Sequence, residues 1–346
     1  MTQAKTENKK SFSRILQQHW RLISLLLAAV TLMLAVISLA VGYYSLSARD
    51  VFAFLLSPLT GAADFADATP TVVLHIRLPR VLAALLIGAG LSVSGCAYQG
   101  MFRNPLVSPD ILGVTSGAAV GASVAITAGL SDYGVQLAAF LCGMLVVLLT
   151  VAISRRSRHS RTLSLVLTGM MLGSLCTAIT SGLKYIADPS DALPAITFWL
   201  MGSLAKVDMA AVLPALIPVT AGMLLIWLMR YRLNLLALDD EEAAAMGVNI
   251  RRDRGLVIFA ATLLSASAVC LGGMIGWVGL MMPHLARGLV GADYRRLLPA
   301  SALLGGAFLL VMDDIARSLL VMEIPIGILT AFLGAPFFVL LILRRR

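Results

Sequence analysis

Charged residues are scarce in this chain of 346 residues: Asp, Glu, Lys and Arg make up 13% of it, whereas 59% is hydrophobic. Such a composition leaves little chain for a soluble domain. Nine runs contain no charged residue, and each is near the roughly 20 apolar residues that cross about 30 Å of hydrocarbon. They predict an all-α polytopic membrane protein, and they cover residues 22–48, 81–102, 111–131, 133–154, 162–183, 209–229, 255–286, 297–312 and 324–343.

The sequence lacks the residues that several functional classes require. The four Cys stand singly in predicted helices and the four His are scattered, so no metal site is predicted. None of the five Lys follows a Gly, which excludes the G-x-x-x-x-G-K loop that holds ATP in many nucleotidases. No nucleophile stands with a base in a predicted span, so the chain by itself is not expected to be an enzyme. The basic residues lack interleaved aromatics, so nucleic acid is not an expected partner.

Carboxylates are also scarce in the predicted helices. Ion-driven carriers usually keep Asp, Glu or His there as a relay, because a charge at mid-membrane costs about 3 kcal/mol or more. Here nearly every Asp and Glu lies in a predicted loop or at a helix end. We therefore expect a protein that is either passive or driven by a partner nucleotidase, with no cofactor bound by this chain.

The run 255–286 is too long for one crossing. Its 32 residues would form roughly 48 Å of helix, and Gly272, Gly273, Gly276 and Gly279 lie in its middle with Pro283 near its end. We predict one full span, a break, and a shorter helix that returns to the starting side. This short, broken pair brings the expected number of transmembrane helices to about ten.

The distribution of Lys and Arg supports that number, because short cytoplasmic loops are enriched in both. Ten spans that start inside place 21 of the 27 basic residues in the cytoplasm, whereas nine spans would reverse the later loops. Both termini are therefore predicted to be cytoplasmic. Residues 1–21 form a cytoplasmic N-terminal segment, and residues 22–346 form a single transmembrane domain with a cytoplasmic loop at 230–254.

Two cytoplasmic segments have distinctive sequences. Residues 235–248 read L-L-A-L-D-D-E-E-A-A-A-M-G-V, with acids at the start and Gly247 at the end, as in a short capped helix. A docking helix and a merely solvated loop helix would both have this composition. Residues 101–110 read M-F-R-N-P-L-V-S-P-D, a rigid turn with two prolines that links the second and third spans.

A family resemblance covers the chain from about residue 77 to its end. The sequence resembles the FecCD-type permease subunits of bacterial type II ATP-binding-cassette importers for iron chelates, haem and cobalamin. The matching segments are R-L-P-R (77–80), Q-G (99–100), R-N-P-L (103–106), P-D-I-L-G-V (109–114), W-L-M-G-S-L (199–204), 235–248, G-W-V-G-L (276–280), P-H (283–284), R-R-L-L-P (295–299), D-I-A-R (314–317), E-I-P-I-G-I-L-T (323–330) and G-A-P (334–336).

The resemblance implies a multi-pass subunit of the bacterial cytoplasmic membrane with three kinds of protein partner. These are a second permease subunit, as a homodimer or a heterodimer with a paralogue, two cytoplasmic ATPases that bind ATP and Mg, and an external substrate-binding protein. Substrate would pass along the dimer axis. The segment from Asp240 to Gly247 would couple to the ATPase, through Asp240, Glu241, Glu242, Ala245 and Gly247. Asn104, Leu106 and Thr162 match positions of the cytoplasmic gate.

The same resemblance implies that Arg77, Arg80 and Arg317 dock the binding protein at the outer face. The alternative is local: Arg77 and Arg80 would anchor the start of the second span at the lipid headgroups, and Arg317 would pair with Asp313 or Asp314 one turn back on its own helix. One departure concerns the coupling segment, where Asp239-Asp240 replaces the Gly-Asp or Gly-Glu of many relatives.

The substrate stays open at this point. An iron chelate, either a ferric siderophore or haem, is the leading expectation, and cobalamin is an alternative. The G-W-V-G-L, D-D-I-A-R and E-I-P-I-G-I-L-T segments resemble a branch that includes permeases for oxyanions such as molybdate. A passive channel or ion-coupled carrier is the alternative from a different class, although a channel would not need the helix at 240–247.

Overall fold

The computed structural model describes residues 19–42, 44, 46–60, 68–157 and 161–343. Within these ranges the chain is helical and contains no strand, which confirms the all-α prediction. The α-helices are α1 (Trp20–Ala40), α2 (Ala48–Thr60), α3 (Leu78–Met101), α4 (Val114–Thr127), α5 (Asp132–Ser154), α6 (Arg161–Ile186), α7 (Ala192–Met201), α8 (Met209–Leu228), α9 (Arg230–Leu236), α10 (Asp240–Ala245), α11 (Ile250–Gly272), α12 (Val278–Val290), α13 (Tyr294–Ser318) and α14 (Ile326–Leu343). A short turn at Thr69–Thr71 and a π-helical stretch at Val72–Arg77 lead into α3.

Among the described residues, seven helices are long and apolar enough to cross a bilayer. They are α1, α3 with its leading turns, α5, α6, α8, α11 and α13, and α4, α7 and α14 are apolar but shorter. The protein is therefore a helical membrane protein, while the number of ten crossings and the cytoplasmic location of both termini stay predictions. Residues 1–18 of the predicted N-terminal segment and the basic residues at 344–346 lie outside the described residues. Helices α2 and α7 were not predicted.

The long run 255–286 is divided, as predicted. Helix α11 ends at Gly272 and α12 starts at Val278. Gly273 has φ +70°, and a Cβ at this position would lie 2.3 Å from the carbonyl oxygen of Trp199. Both the left-handed conformation and the close approach require glycine here. Trp277 is also left-handed, with φ +70°, and it packs against Phe338 of α14 with ring centroids 6.0 Å apart.

Helix α3 is the centre of the bundle and contacts its neighbours through glycine. A Cβ at Gly88 would lie 2.2 Å from the carbonyl oxygen of Gly305 in α13, and one at Gly95 would lie 1.8 Å from that of Gly279 in α12. Backbones can approach this closely only where no side chain separates them. Tight packing therefore explains these two glycines.

The segment between α3 and α4 enters the bundle instead of lying on its surface. It contains a 3₁₀ helix at Pro109–Leu112, whose Leu112 carbonyl accepts a hydrogen bond of 3.1 Å from Thr150 of α5. Pro109 sits against Gly279 of α12, where an added Cβ would come within 2.4 Å of the Pro109 ring. Irregular backbone at membrane depth is tolerated where protein buries it or where it lines a cavity.

Candidate functional site

Helix α10 is a short, capped helix in the loop between α8 and α11. Three acidic residues form its first turn, where the helix dipole favours negative charge. Gly247 follows the helix with φ +80°, and the amides of Gly247 and Val248 donate to the carbonyls of Ala244 and Ala243 at 3.0 and 3.1 Å. This closure is typical of a helix that ends on glycine. The predicted helix and its glycine cap are therefore present.

One face of α10 packs on the protein and the other is open. Ala243 is 1% exposed and Val248 is 8% exposed, and both belong to the main hydrophobic core. Glu241, Glu242, Ala245 and Met246 are exposed. The open face therefore offers two carboxylates beside small and apolar side chains, which is a surface suited to a protein partner with basic residues around an apolar groove.

A two-pronged ion pair fixes α10 to the next membrane helix. Arg254, in the first turns of α11, donates to both carboxylate oxygens of Asp240 at 2.7 and 2.9 Å. The Arg254 side chain is only 4% exposed, so its position is determined by the surrounding core. A bidentate pair between Arg and a carboxylate fixes orientation as well as distance. Helix α10 and the start of α11 are thus joined as one unit.

The predicted gate turn is joined to the same helix. Arg103, left-handed with φ 52°, forms an ion pair with Asp239 and donates to the carbonyl of Leu238 at 3.2 Å. The adjacent Asn104 accepts a hydrogen bond of 2.9 Å from the amide of Leu106. This Asx turn fixes the shape of the loop and leaves the Leu106 side chain 48% exposed. A displacement of α10 would therefore act directly on the turn that carries Asn104 and Leu106.

Thr162, the third residue assigned to the gate, is on α6 and not in the turn that contains Asn104 and Leu106. It occupies the start of α6 and is half-buried, and the preceding residues 158–160 lie outside the described part. The described residues contain no hydrogen bond between Thr162 and either Asn104 or Leu106. The gate role of all three residues stays a prediction.

The three arginines assigned to docking are buried. Arg77, Arg80 and Arg317 are 2%, 4% and 5% exposed. Arg77 donates to the carbonyls of Leu39 and Ala40 at 2.7 and 2.8 Å, so it satisfies the carboxyl end of α1. Within this chain, Arg77 therefore fastens α1 to the start of α3.

Arg80 and Arg317 bind carboxylates on two neighbouring segments. Arg80 donates to Asp313 and to Glu323, each at 2.7 Å. Arg317 pairs with Asp314 and, at 3.5 Å, with Asp313, which are the pairs that the local alternative anticipated. The interaction of Arg80 with residues more than 230 positions away was not predicted. Docking of a binding protein by these arginines stays a prediction, and the contacts give them a structural role within this chain.

A cavity of about 580 Å³ lies between the gate turn, α9, α12 and the start of α13. Its lining includes Gln99, Arg103, Asn104, Arg287 and Asp293. Arg287 donates to the side-chain oxygen of Gln99 at 3.3 Å. Burial raises the pKa of the Asp293 carboxyl, but hydrogen bonds from Arg295 and Asn234 outweigh that effect and lower the pKa to about 2. The carboxylate is therefore ionised at neutral pH and holds α9 against α13.

A second cavity, of about 400 Å³, lies among α7, α14, the break before α12 and the segment that precedes α4. Asp110 and Thr115 are polar residues in its lining, and Met201, Met274 and Phe332 are among the apolar ones. Sequence reasoning placed Asp110 in a cytoplasmic loop. The apolar run after it, residues 111–131, is long enough for a full crossing, so no signal in the sequence indicated that this loop enters the bundle.

Comparison with known proteins gives a consistent result. Residues 29–344 match the family model described as "FecCD transport family". The chain is 44% identical over 322 residues to "Molybdate import system permease protein MolB" of Haemophilus influenzae, covering 92% of this chain and 95% of that protein. It is 41% identical over 275 residues to "Probable iron chelatin transport system permease protein" of Helicobacter pylori, covering 80% and 83%.

The fold is also similar to that of a solved structure, described as an inward-facing conformation of a metal-chelate type ABC transporter. The TM-score is 0.84 at 43% sequence identity, and the match covers 93% of this chain and 99% of that one. Helical arrangement and sequence thus agree over nearly the same residues.

Proposed function

The chain belongs to the FecCD transport family, and on that premise we propose that it imports an iron chelate, either a ferric siderophore or haem, across the bacterial cytoplasmic membrane. It belongs with the ATP-binding-cassette permease subunits, which are multi-pass membrane components that lack ATPase activity. A partner ATPase hydrolyses ATP.

The observation that carries the ATP-driven role is the linkage between α10 and the gate turn. Asp240 is held by Arg254 on a membrane helix, and Asp239 is held by Arg103 beside Asn104 and Leu106. A partner ATPase that moves α10 would move both the start of α11 and the turn at the cytoplasmic end of the pathway. Such a connector is what an ATP-driven permease needs and a passive channel does not.

The proposed assembly contains two permease subunits, two ATPases that bind ATP and Mg, and an external binding protein. The two copies of this chain form a homodimer, or one copy pairs with a paralogue. Ten crossings with both termini in the cytoplasm place α10 on the ATPase side. The gate is formed by Asn104, Leu106 and Thr162 from both subunits at the dimer axis.

A second candidate is import of an oxyanion. It is favoured by the identity of 44% to a relative named for molybdate, which extends over 92% of this chain. The two candidates share the permease role and differ only in substrate.

Uptake by the reconstituted importer tests the proposal. The permease, its partner ATPase and its binding protein would be placed in liposomes with ATP inside, and uptake of a ferric hydroxamate, haemin, cobalamin and molybdate would be compared. We expect ATP-dependent uptake of an iron chelate. Uptake of molybdate alone would support the second candidate, and uptake that needs no ATP would support a channel.

A further inference from the structure

Asp110 is a carboxylate inside the bilayer. Helix α4, which follows it, has 14 residues and is therefore about 21 Å long, shorter than the roughly 30 Å of hydrocarbon. If α4 ends at the outer surface, its first residue, Val114, lies well below the membrane surface, and Asp110 lies four residues before it.

A second measure of depth comes from the middle of α3. Gly279 of α12 is in close contact with both Pro109 and Leu91. A Cβ added to Gly279 would lie 2.4 Å from the Pro109 ring and 2.6 Å from the carbonyl oxygen of Leu91. Pro109 therefore packs at the level of Leu91. Leu91 is ten residues, or about 15 Å, from the end of α3 at Met101. The packing of Pro109 on the middle of α3 therefore places Asp110 at membrane depth, and the short length of α4 agrees that the segment before it lies below the membrane surface.

The Asp110 side chain is exposed and lines the second cavity, and it has no cationic partner among the described ion pairs. It accepts a hydrogen bond from the hydroxyl of Thr115, which lines the same cavity. The other walls are apolar, with Met201, Met274 and Phe332 among them. A charge in such a place is costly and is usually retained for use.

We propose that Asp110, positioned by Thr115, is a contact point for the transported substrate within the membrane. A carboxylate only accepts hydrogen bonds and carries negative charge, so it favours a substrate edge with N–H or O–H donors or a positive charge. A metal chelate with hydroxyl, amide or ammonium groups meets this requirement. A bare oxyanion, which presents only acceptor oxygens, does not. The assignment rests on the proposed import function and selects the chelate class over the oxyanion.

The structural alternative is that Asp110 only holds the first turn of α4 through Thr115. An amide oxygen accepts the same hydrogen bond without charge, so Asp110→Asn separates the two roles. Asp110→Glu keeps the charge. Asp208 provides a matched control, because its carboxylate accepts from the amide of Ala211 at 2.8 Å at the start of α8, and Asp208 is not in the lining of this cavity.

The experiment measures the electrostatic potential of the cavity without knowledge of the substrate. In the assembled importer, with its four native Cys replaced, Met274→Cys places a thiol in the cavity wall. Its reaction rates with a trimethylammonium-bearing and a sulfonate-bearing methanethiosulfonate would be compared. We expect the trimethylammonium reagent to react faster than the sulfonate reagent. The ratio of the cationic to the anionic rate should fall about tenfold in Asp110→Asn. It should be unchanged in Asp110→Glu and Asp208→Asn. An unchanged ratio in Asp110→Asn would overturn the assignment.

Uptake gives a second, separable outcome. In liposomes with the complete importer, Asp110→Asn should reduce uptake of a ferric hydroxamate that carries a free ammonium group by about tenfold or more, whereas Asp208→Asn should not. Uptake of molybdate by the wild-type importer would overturn the assignment and leave the permease role intact. Loss of ATP dependence in the wild-type importer would instead refute the proposed function, whatever the reagent ratio.

Discussion

Arg103 and Asp239 form an ion pair that joins the turn after α3 to the start of α10. Both side chains have access to water, with 34% of Arg103 and 81% of Asp239 exposed. Exposed pairs contribute only about 0.2 to 1 kcal/mol. The pair therefore adds little to stability, but it holds the turn with Asn104 and Leu106 next to the start of α10. This weak, reversible link is suited to an element that moves during transport.

Breaking this pair should uncouple ATP hydrolysis from transport. We expect Arg103→Gln and Asp239→Asn each to increase the number of ATP molecules hydrolysed per substrate imported by several-fold, while the complex still assembles. Exchanging the charges, in Arg103→Asp with Asp239→Arg, should restore part of the coupling because the attraction returns.

The matched control for that experiment is Arg295→Gln. Arg295 pairs with Asp293 at 2.8 Å, is 49% exposed, and is not in the lining of the cavity that Arg103 and Asn104 line. Its loss should leave the ATP cost of transport unchanged. Equal effects of Arg295→Gln and Arg103→Gln would mean that the Arg103 pair has no specific part in coupling.

Gly247 should tolerate no β-branched side chain. Its φ of +80° costs an L-residue roughly 1 to 2 kcal/mol, although no atom lies within 4 Å of an added Cβ. Gly247→Val should therefore shift α10 and reduce co-purification of the ATPase. Gly255→Val is the control, because that helical position also has open space around an added Cβ. Normal transport by Gly247→Val would contradict the coupling role of α10.

Arg80 should contribute more to stability than any exposed arginine. Its removal leaves Asp313, which is fully buried, with only Arg317 at 3.5 Å. Loss of one partner from a buried pair costs about 3 to 5 kcal/mol. We expect Arg80→Ala to lower the melting temperature of the detergent-solubilised protein markedly and Arg295→Ala to lower it little. If Arg80→Ala instead keeps full stability and loses only the binding protein, the docking prediction is supported.

The ten-span topology makes a labelling prediction. Ala292, exposed in the loop between α12 and α13, should be on the cytoplasmic side, and Lys206, exposed between α7 and α8, on the outer side. Single cysteines at these positions, in a background without native Cys, would be treated with a membrane-impermeant thiol reagent. Labelling of Ala292→Cys from outside would show that the returning helix α12 has been assigned incorrectly.

Features that depend on neighbouring residues were predictable from the sequence. Helix α10 has acids at its start and Gly247 at its end, and the break after Gly272 follows from a glycine cluster within an overlong run. Each of these features is determined by a few neighbouring residues, so it can be predicted without knowledge of the fold. The pairing of Arg317 with Asp313 and Asp314 was open to inference for the same reason, because three or four positions separate them on one helix.

Contacts between distant segments were not predictable in this way. Arg80 meets Asp313 and Arg103 meets Asp239 only because the helices pack as they do. The depth of Asp110 was missed because the residue lies between two apolar runs and therefore looks like a surface turn. Its position depends on α4 being too short to cross the bilayer and on Pro109 packing against α12. A hydropathy profile shows neither where α4 begins and ends nor how Pro109 packs.

The most direct test of the account is a cross-link between α10 and the ATPase. Ala245, exposed on the open face of α10, would be changed to Cys in a chain without native Cys, and Tyr185, 91% exposed at the end of α6, would serve as the control position. With a short thiol-to-amine reagent in the assembled importer, we expect Ala245→Cys to cross-link to the ATPase subunit and Tyr185→Cys not to do so. Absence of a cross-link from Ala245→Cys in a complex that transports substrate would contradict the claim that the ATPase drives this chain through α10.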